Sequence, residues 1–455
     1  MNKLILFLSA ITLLSCKQEE KPQYVVLTGT VENNVGETAL VRGNDFESRV
    51  PISETGIFTD TLNIPTNGFY DLYVGRERTG VYLEKGNTLS VKLNAEEFDE
   101  TLVYSGSLAK ENNFMAAKYL WNEQHINFKE MYTADEEAFL LKHAQITTAL
   151  DSLYASQNIK NESFKNLLDE EDKYSKASII ENYQEAHRYY SADANFKVSD
   201  SFLSVLSNID YTDTLAFRKS VAYQSLLETH YNRLAGEDAR KTENGSETIS
   251  FLKIVDTEMP DGYAKDKLMT GYLQFGLKPD ESLEEAYTIY KNSNPNPESF
   301  TALTERYNKL KTITKGNPSP TFNYENHKGG TTSLADLKDK YVYIDVWATW
   351  CGPCLREIPS LKAVEEAYHG KQIEFVSISI DVEKDYEKWK TMVTEKQLGG
   401  IQLMADNNWK SEFAVDYGIL GIPRFILIDP QGNIVSADAP RPSDPELRKI
   451  LDELI

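Results

Sequence analysis

Two of the chain's three cysteines stand three positions apart, in Trp350-Cys351-Gly352-Pro353-Cys354, and that spacing suits redox chemistry. The residues before the motif read as a strand and those after it as a helix, which puts Cys351 at the helix start. The unpaired N–H groups and positive dipole end there stabilise a thiolate and lower the thiol pKa from about 8.5. Cys354 lies one turn further, on the same face and deeper. Cys351 is then the nucleophile that attacks a disulfide, and Cys354 resolves the mixed disulfide that results. Pro353 suits the first turn, where a missing N–H costs nothing. A structural zinc site needs four ligands, and no second cysteine pair or nearby His pair exists. A purely structural bridge across so short a loop removes little chain entropy.

A second candidate is Asp345, inside the apolar run Tyr341-Val342-Tyr343-Ile344-Asp345-Val346-Trp347. A carboxylate there is costly unless it is paired or functional. Desolvation raises its pKa toward neutrality, which suits a base that takes the proton of Cys354 through water. Glu357 follows Cys354 by nearly a turn and reads either as a carboxylate approaching the same face or as a solvated helix residue. Trp347 reads as packing and Trp350 as a contact surface.

The elements around these residues alternate. A helical pattern runs from Leu355 to about His369, strand Glu374–Ile380 follows, then a helix near Glu383–Gln397. Strand Ile401–Ala405, a helix near Ser411–Tyr417, strands Phe425–Asp429 and Ile434–Ala437, and a helix Pro445–Leu454 complete a mixed α/β sheet with helices on both faces. In this setting the motif at Trp350–Cys354 resembles the thioredoxin active site, and Gly421-Ile422-Pro423 matches the segment that carries its cis-proline. The leader, the Ser333–Asp339 helix and Cys354-Leu355-Arg356-Glu357 are similar to the membrane-tethered thioredoxins that include the cytochrome-maturation reductases. The resemblance spans about Pro318 to Ile455, roughly a third of the chain.

It implies a thioredoxin fold and a thiol:disulfide oxidoreductase that needs no cofactor and no metal. Asp345 matches the buried aspartate of that family, and Glu357 matches a carboxylate used to tune cysteine pKa values. Trp350, Gly352, Pro353, Ile422 and Pro423 become the substrate-binding surface, with the Ile422 backbone able to pair with an extended substrate strand. Arg424 stands where the family often has Thr, so substrate preference departs from the pattern. The implied partners are disulfide-bearing envelope proteins and a membrane donor of electrons.

The rest of the chain sets the location. Residues 1–15 (MNKLILFLSAITLLS) have a basic start and an apolar run too short to span a bilayer, as a signal peptide does. Cys16 follows at the cleavage point and resembles a lipobox cysteine, which implies acylation and a lipid anchor. The tether 16–23 contains Glu19 and Glu20, similar to an outward-sorting signal. The expected location is therefore the cell envelope, anchored to a membrane and facing the periplasm, with the outer membrane or cell surface as a variant. Residues 24–107 alternate in short runs and predict an antiparallel β domain, with turns at Gly56, Asn67-Gly68, Gly80 and Gly86-Asn87. Residues 108–315 show helical spacing, for example over 137–153, 216–233 and 282–290, and predict an all-α domain. Gly316 to Pro320 opens the third domain, 316–455.

At 455 residues with 41% hydrophobic and 26% charged, the chain is neither a polytopic membrane protein nor wholly disordered. Its net charge of −22 disfavours nucleic acid as a partner. Two other functions fit less well: a thiol peroxidase, which lacks a further cysteine, and a surface binding lipoprotein with an incidental redox domain.

Overall fold

A computed structural model describes residues 22–455 apart from 35, 44, 45, 243 and 244. The leader, Cys16 and most of the tether lie outside the described residues, among which no helix is long and apolar enough to cross a membrane. The chain divides into two compact units, residues 1–209 with 218–226, and residues 210–217 with 227–455.

The first unit opens with eight strands: β1 (Val25–Glu32), β2 (Thr38–Gly43), β3 (Phe46–Pro51), β4 (Ile57–Leu62), β5 (Gly68–Val74), β6 (Glu77–Leu83), β7 (Thr88–Asn94) and β8 (Val103–Gly106). They form two four-stranded sheets, ordered β4-β1-β7-β8 and β3-β2-β5-β6. Alternation along each strand sends Val25, Leu27, Leu89, Val91, Leu72 and Val81 into one shared core. One pairing departs from the expected antiparallel pattern: β1 and β7 run parallel. Strands β2 to β6 intervene and supply the long crossover that a parallel pair needs. Gly80 also departs from expectation, lying within β6 while the turn falls at Gly75 (φ 63°). A Cβ at Gly80 would stand 3.1 Å from the Met115 side chain, so the glycine makes room for the helix Ala109–His125.

That helix closes the edges of both sheets with adjacent asparagines. Asn112 accepts from the Tyr82 N–H (2.8 Å) and donates to its carbonyl (3.1 Å). Asn113 does the same at Tyr104, with both bonds at 2.8 Å. Each side chain stands in for a neighbouring strand, satisfying edge groups that otherwise lack partners. Asn112 is fully buried. Asn112→Ala is expected to cost about 2–4 kcal/mol, because the Tyr82 groups are then buried without partners. The shift of the urea midpoint measures it, and an unmoved midpoint contradicts the clamp.

In the second unit, helices precede a seven-stranded sheet. The single helix expected over 216–233, a stretch divided between the two units, is two, Thr214–Lys219 and Val221–Ala239. The Ser220 hydroxyl accepts from the Tyr223 N–H (3.0 Å) and caps the second, a local bond that competes with continuous helix. The sheet uses β9 (Asn323–Asn326), β10 (Thr331–Ser333), β11 (Tyr341–Trp347), β12 (Ile373–Ser379), β13 (Ile401–Met404), β14 (Arg424–Ile428) and β15 (Ile434–Ser436), in the order β10-β9-β13-β12-β11-β14-β15. β11, β12 and β13 are parallel, and β14 runs antiparallel to β11. Tyr343, Phe425 and Leu427 pack on one face against Leu361 and Val364 of the helix Gly352–Ala367 and Leu447 and Leu451 of the helix Pro445–Leu454. The Ser333–Asp339 helix is a short 3₁₀ turn, Leu334–Leu337, held by a capping box of Ser333 and Asp336. The segment opening this domain is stitched to the sheet: the Gly316 N–H donates to the Ile434 carbonyl and the Ile434 N–H to the Asn317 carbonyl, both at 2.8 Å.

Candidate active site

β11 is an interior strand, between β12 and β14, and it delivers the chain through Ala348–Trp350 to Cys351. Cys351 is the N-cap of the helix Gly352–Ala367, with extended backbone (φ −83°, ψ 96°). Its sulfur accepts from the Cys354 N–H at 3.2 Å, and the two cysteines form a disulfide with their Cα atoms 5.3 Å apart. Gly352 and Pro353 fill the first turn, where no N–H has an intrahelical partner.

The approach to the motif is held by a residue the sequence reading did not single out. Asp381, buried just past β12, accepts from the Thr349 N–H (2.9 Å), the Thr349 hydroxyl (2.8 Å) and the Ser379 hydroxyl (2.7 Å). A carboxylate directly after an apolar strand was the available signal.

Exposure does not separate the cysteines, since both are 4% exposed in the disulfide; the deeper placement expected for Cys354 is not seen. Their surroundings differ instead. Cys354 lines a small cavity between helix and sheet together with Asp345, whereas Cys351 does not.

Asp345 is half-buried on β11, level with Ser377 of β12 and Phe425 of β14. Burial, then the charges of Glu357 and Glu365, push its pKa up to about 7, against a hydrogen bond from Ser377. Glu357 acts by charge from a distance. Its carboxylate accepts from the Ser443 N–H (3.0 Å) and hydroxyl (2.9 Å), which ties the helix to the loop before Pro445. Glu365 lines the same cavity, and burial pushes its pKa up to about 7 as well. It too was absent from the sequence reading. The signal lay in its spacing, for Cys354, Ile358, Leu361 and Glu365 form one stripe of the helix.

The Ile422–Pro423 bond is cis, and Arg424 begins β14 opposite Val346, at the sheet end nearest the disulfide. The Arg424 side chain turns back into the fold, donating to the Ala437 carbonyl (2.9 Å) and pairing with Asp438 (3.1 Å). Lys278 holds the other oxygen of Asp438 at 2.9 Å, and burial lowers the Arg424 pKa. Trp347 is buried, as expected of packing. Trp350 is 45% exposed, and its ring lies 6.4 Å from that of Trp409, a contact with no sequence signal. Leu420, 51% exposed, adds apolar surface close in sequence to the cis-proline. Among the described residues no group of His, Cys, Asp and Glu could hold a metal.

A disulfide at a helix N-terminus, a raised carboxyl beneath its second cysteine and a cis-proline at the adjoining strand define the thioredoxin-like thiol:disulfide oxidoreductases. Residues 315–437 match the family model described as the AhpC/TSA family. It is similar to thioredoxin-like protein YneN of Bacillus subtilis, 26% identical over 140 residues, covering 31% of this chain and 80% of that one. It is also similar to thiol-disulfide oxidoreductase ResA of Bacillus cereus, 28% identical over 136 residues, covering 30% and 76%. Among solved structures, a thiol-disulfide oxidoreductase from Bacteroides fragilis is 30% identical, covering 30% of this chain and all of that one, with a TM-score of 0.29.

Proposed function

We propose that the protein reduces protein disulfides, with Cys351 as nucleophile, Cys354 as resolving thiol and Asp345 as base. The observation that carries this reading is the cavity shared by Cys354 and Asp345, which places a carboxyl with a pKa near 7 next to the thiol that must lose a proton. In the dithiol, the Cys351 thiolate attacks a substrate disulfide, helped by the Cys354 N–H that meets its sulfur. Trp350 and the Ile422-Pro423 backbone offer an apolar platform and an edge for an extended substrate segment. Cys354 passes its proton to Asp345 and attacks the Cys351 sulfur, which releases the substrate thiol and forms the disulfide. A donor of electrons must then restore the dithiol.

The direction follows from electrostatics. Dithiols with this Cys-Gly-Pro-Cys loop, as in thioredoxin, sit near about −270 mV, whereas disulfide isomerase lies near about −180 mV. The carboxyls of Asp345 and Glu365 disfavour a further negative charge on sulfur, which keeps the pair reducing. Equilibration of the protein with dithiothreitol or glutathione buffers should give a potential below about −230 mV. A value above about −180 mV would replace the reductase with an isomerase or oxidase.

The leader and Cys16 support anchoring to an envelope membrane, where a membrane dithiol donor would feed the site and envelope proteins with disulfides would drain it. Incorporation of labelled palmitate, lost in Cys16→Ser, tests the anchor.

A further inference from the structure

Three polar residues interrupt three adjacent apolar strands at one level of the sheet. Asp345 of β11 pairs with Ser377 of β12, and Ser377 pairs with Gln402 of β13. Neighbours at one level point to the same face, here the face beneath the helix Gly352–Ala367, where all three line one cavity with Cys354 and Glu365. The cavity is small, about 10 Å³, roughly the room one water needs. Packing alone does not account for such a row, since each buried polar group costs stability unless it is satisfied.

One polar atom in it is unsatisfied. Gln402 is 5% exposed; its amide donates to the Gly399 carbonyl (2.8 Å), while its Oε1 is buried and accepts nothing. An amide oxygen in that position calls for an O–H donor, a protonated carboxyl or a bridging water. The Glu365 carboxylate is half-buried with no hydrogen bond from the described residues; burial raises its pKa and the charge of Lys362 opposes that. Over it the chain closes with two glycines. A Cβ at Gly399 would stand 2.1 Å from its Oε2, and one at Gly400 3.0 Å from its Oε1. The chain thus leaves space for this carboxylate at the outer end of the row.

We propose that Glu365 is the outer station of a proton path that runs from Cys354 through Asp345, along the Ser377–Gln402 row, to solvent at the Gly399–Gly400 loop. The proposal rests on the reductase reading and names a positioning residue for it. During resolution the Cys354 thiol gives its proton to the Asp345 carboxylate, and the thiolate attacks the Cys351 sulfur of the mixed disulfide. The Cys351–Cys354 bond forms as the Cys351–substrate bond breaks, two electrons pass to the substrate, and its thiolate takes a proton from water. The proton on Asp345 moves to Glu365 and out; re-reduction by the donor draws one in along the same route.

The charges around the row fit a pair that shares a proton near neutrality. Asp345 feels Glu357 and Glu365 from the helix, and Ser377 from β12 opposes them. Glu365 feels Lys362, whose ammonium is held by the Lys396 carbonyl at 2.5 Å. Tyr343, two residues before Asp345, stays protonated because burial and the charges of Asp345, Glu357 and Asp444 raise its pKa. From the loop and β13 only the neutral Leu398, Gly399 and Gln402 face the cavity.

The test uses the full chain, Glu365→Gln and Glu365→Asp, with folding checked by thermal melts. Carboxyl ¹³C titration should show the Asp345 pKa falling by about one unit in Glu365→Gln, as a negative neighbour is removed. Stopped-flow oxidation of the dithiol by a small aromatic disulfide should show the first attack unchanged. Closure to the intramolecular disulfide should slow by about tenfold near pH 7, with Glu365→Asp recovering most of it. An unmoved Asp345 titration, or a closure rate equal to that of the unaltered protein, overturns the relay alone. An unaltered dithiol that does not reduce the disulfide at all overturns the reductase reading together with it.

Discussion

Cys354→Ser is expected to stall the protein on its substrates, whereas Cys351→Ser should remove turnover altogether, by about a thousandfold or more. The asymmetry follows from what each sulfur touches. Cys351 caps the helix and meets the Cys354 N–H at 3.2 Å, so its thiolate is the one stabilised. Cys354 faces the cavity with Asp345, whose carboxylate would raise rather than lower a thiol pKa. A Cys354→Ser chain therefore attacks but cannot resolve, and mixed disulfides should persist on a non-reducing gel and vanish with dithiothreitol. In the unaltered dithiol at neutral pH, alkylation should reach Cys351 much faster than Cys354. Captured partners with Cys351→Ser instead, or faster labelling of Cys354, would reverse the roles.

What the sequence makes legible here is what local chemistry dictates. The motif, the strand before it and the proline after it are contiguous patterns, and β11 and the helix Pro445–Leu454 begin and end where their residues predict. The hairpin of β9 and β10 is not legible, since Asn323–Asn326 and Thr331–Ser333 are short, polar edge strands with no apolar alternation. The place of β9 comes from pairing with β13 and that of β10 from pairing with β9, of which the first is a tertiary fact. The parallel pairing of β1 and β7 is hidden for the same reason, because alternation marks a strand and its face but not its neighbour's direction. In the site, Asp345 stands out because a charge in an apolar run is conspicuous. Ser377 and Gln402 do not, and only the strand register reveals that they lie level with it. Trp409 belongs to a turn whose residues give no hint of the aromatic contact with Trp350.

Asp345→Asn should make the protein more stable and a slower enzyme, with the gain in stability depending on pH in one direction. The Asp345 pKa is raised from 3.8 to about 7 in the fold. The folded state thus holds a proton that the unfolded chain has already lost between those values, and stability falls as pH rises through that window. Below about pH 4 both states are protonated and the aspartate costs nothing. Above about pH 7 the folded protein carries a half-buried carboxylate near Glu357 and Glu365, and the full cost is present. Asparagine keeps the shape and cannot ionise. Its substitution should therefore add about 2–4 kcal/mol at pH 8 and almost nothing at pH 4, read from urea unfolding of the disulfide form followed through Trp347, Trp350, Trp389 and Trp409. The same change removes the acceptor for the Cys354 proton, so closure of the mixed disulfide should slow by about tenfold or more while the first attack by Cys351 is kept. A gain that is equal at pH 4 and pH 8 would mean that Asp345 titrates alike in the folded and unfolded chain and that its cost does not come from its charge. With closure unchanged between pH 6 and 9, the base would have to be sought elsewhere in the cavity. The two effects together would mean that the fold tolerates a destabilising carboxyl on an interior strand of its seven-stranded sheet because the chemistry at Cys354 needs a proton acceptor there.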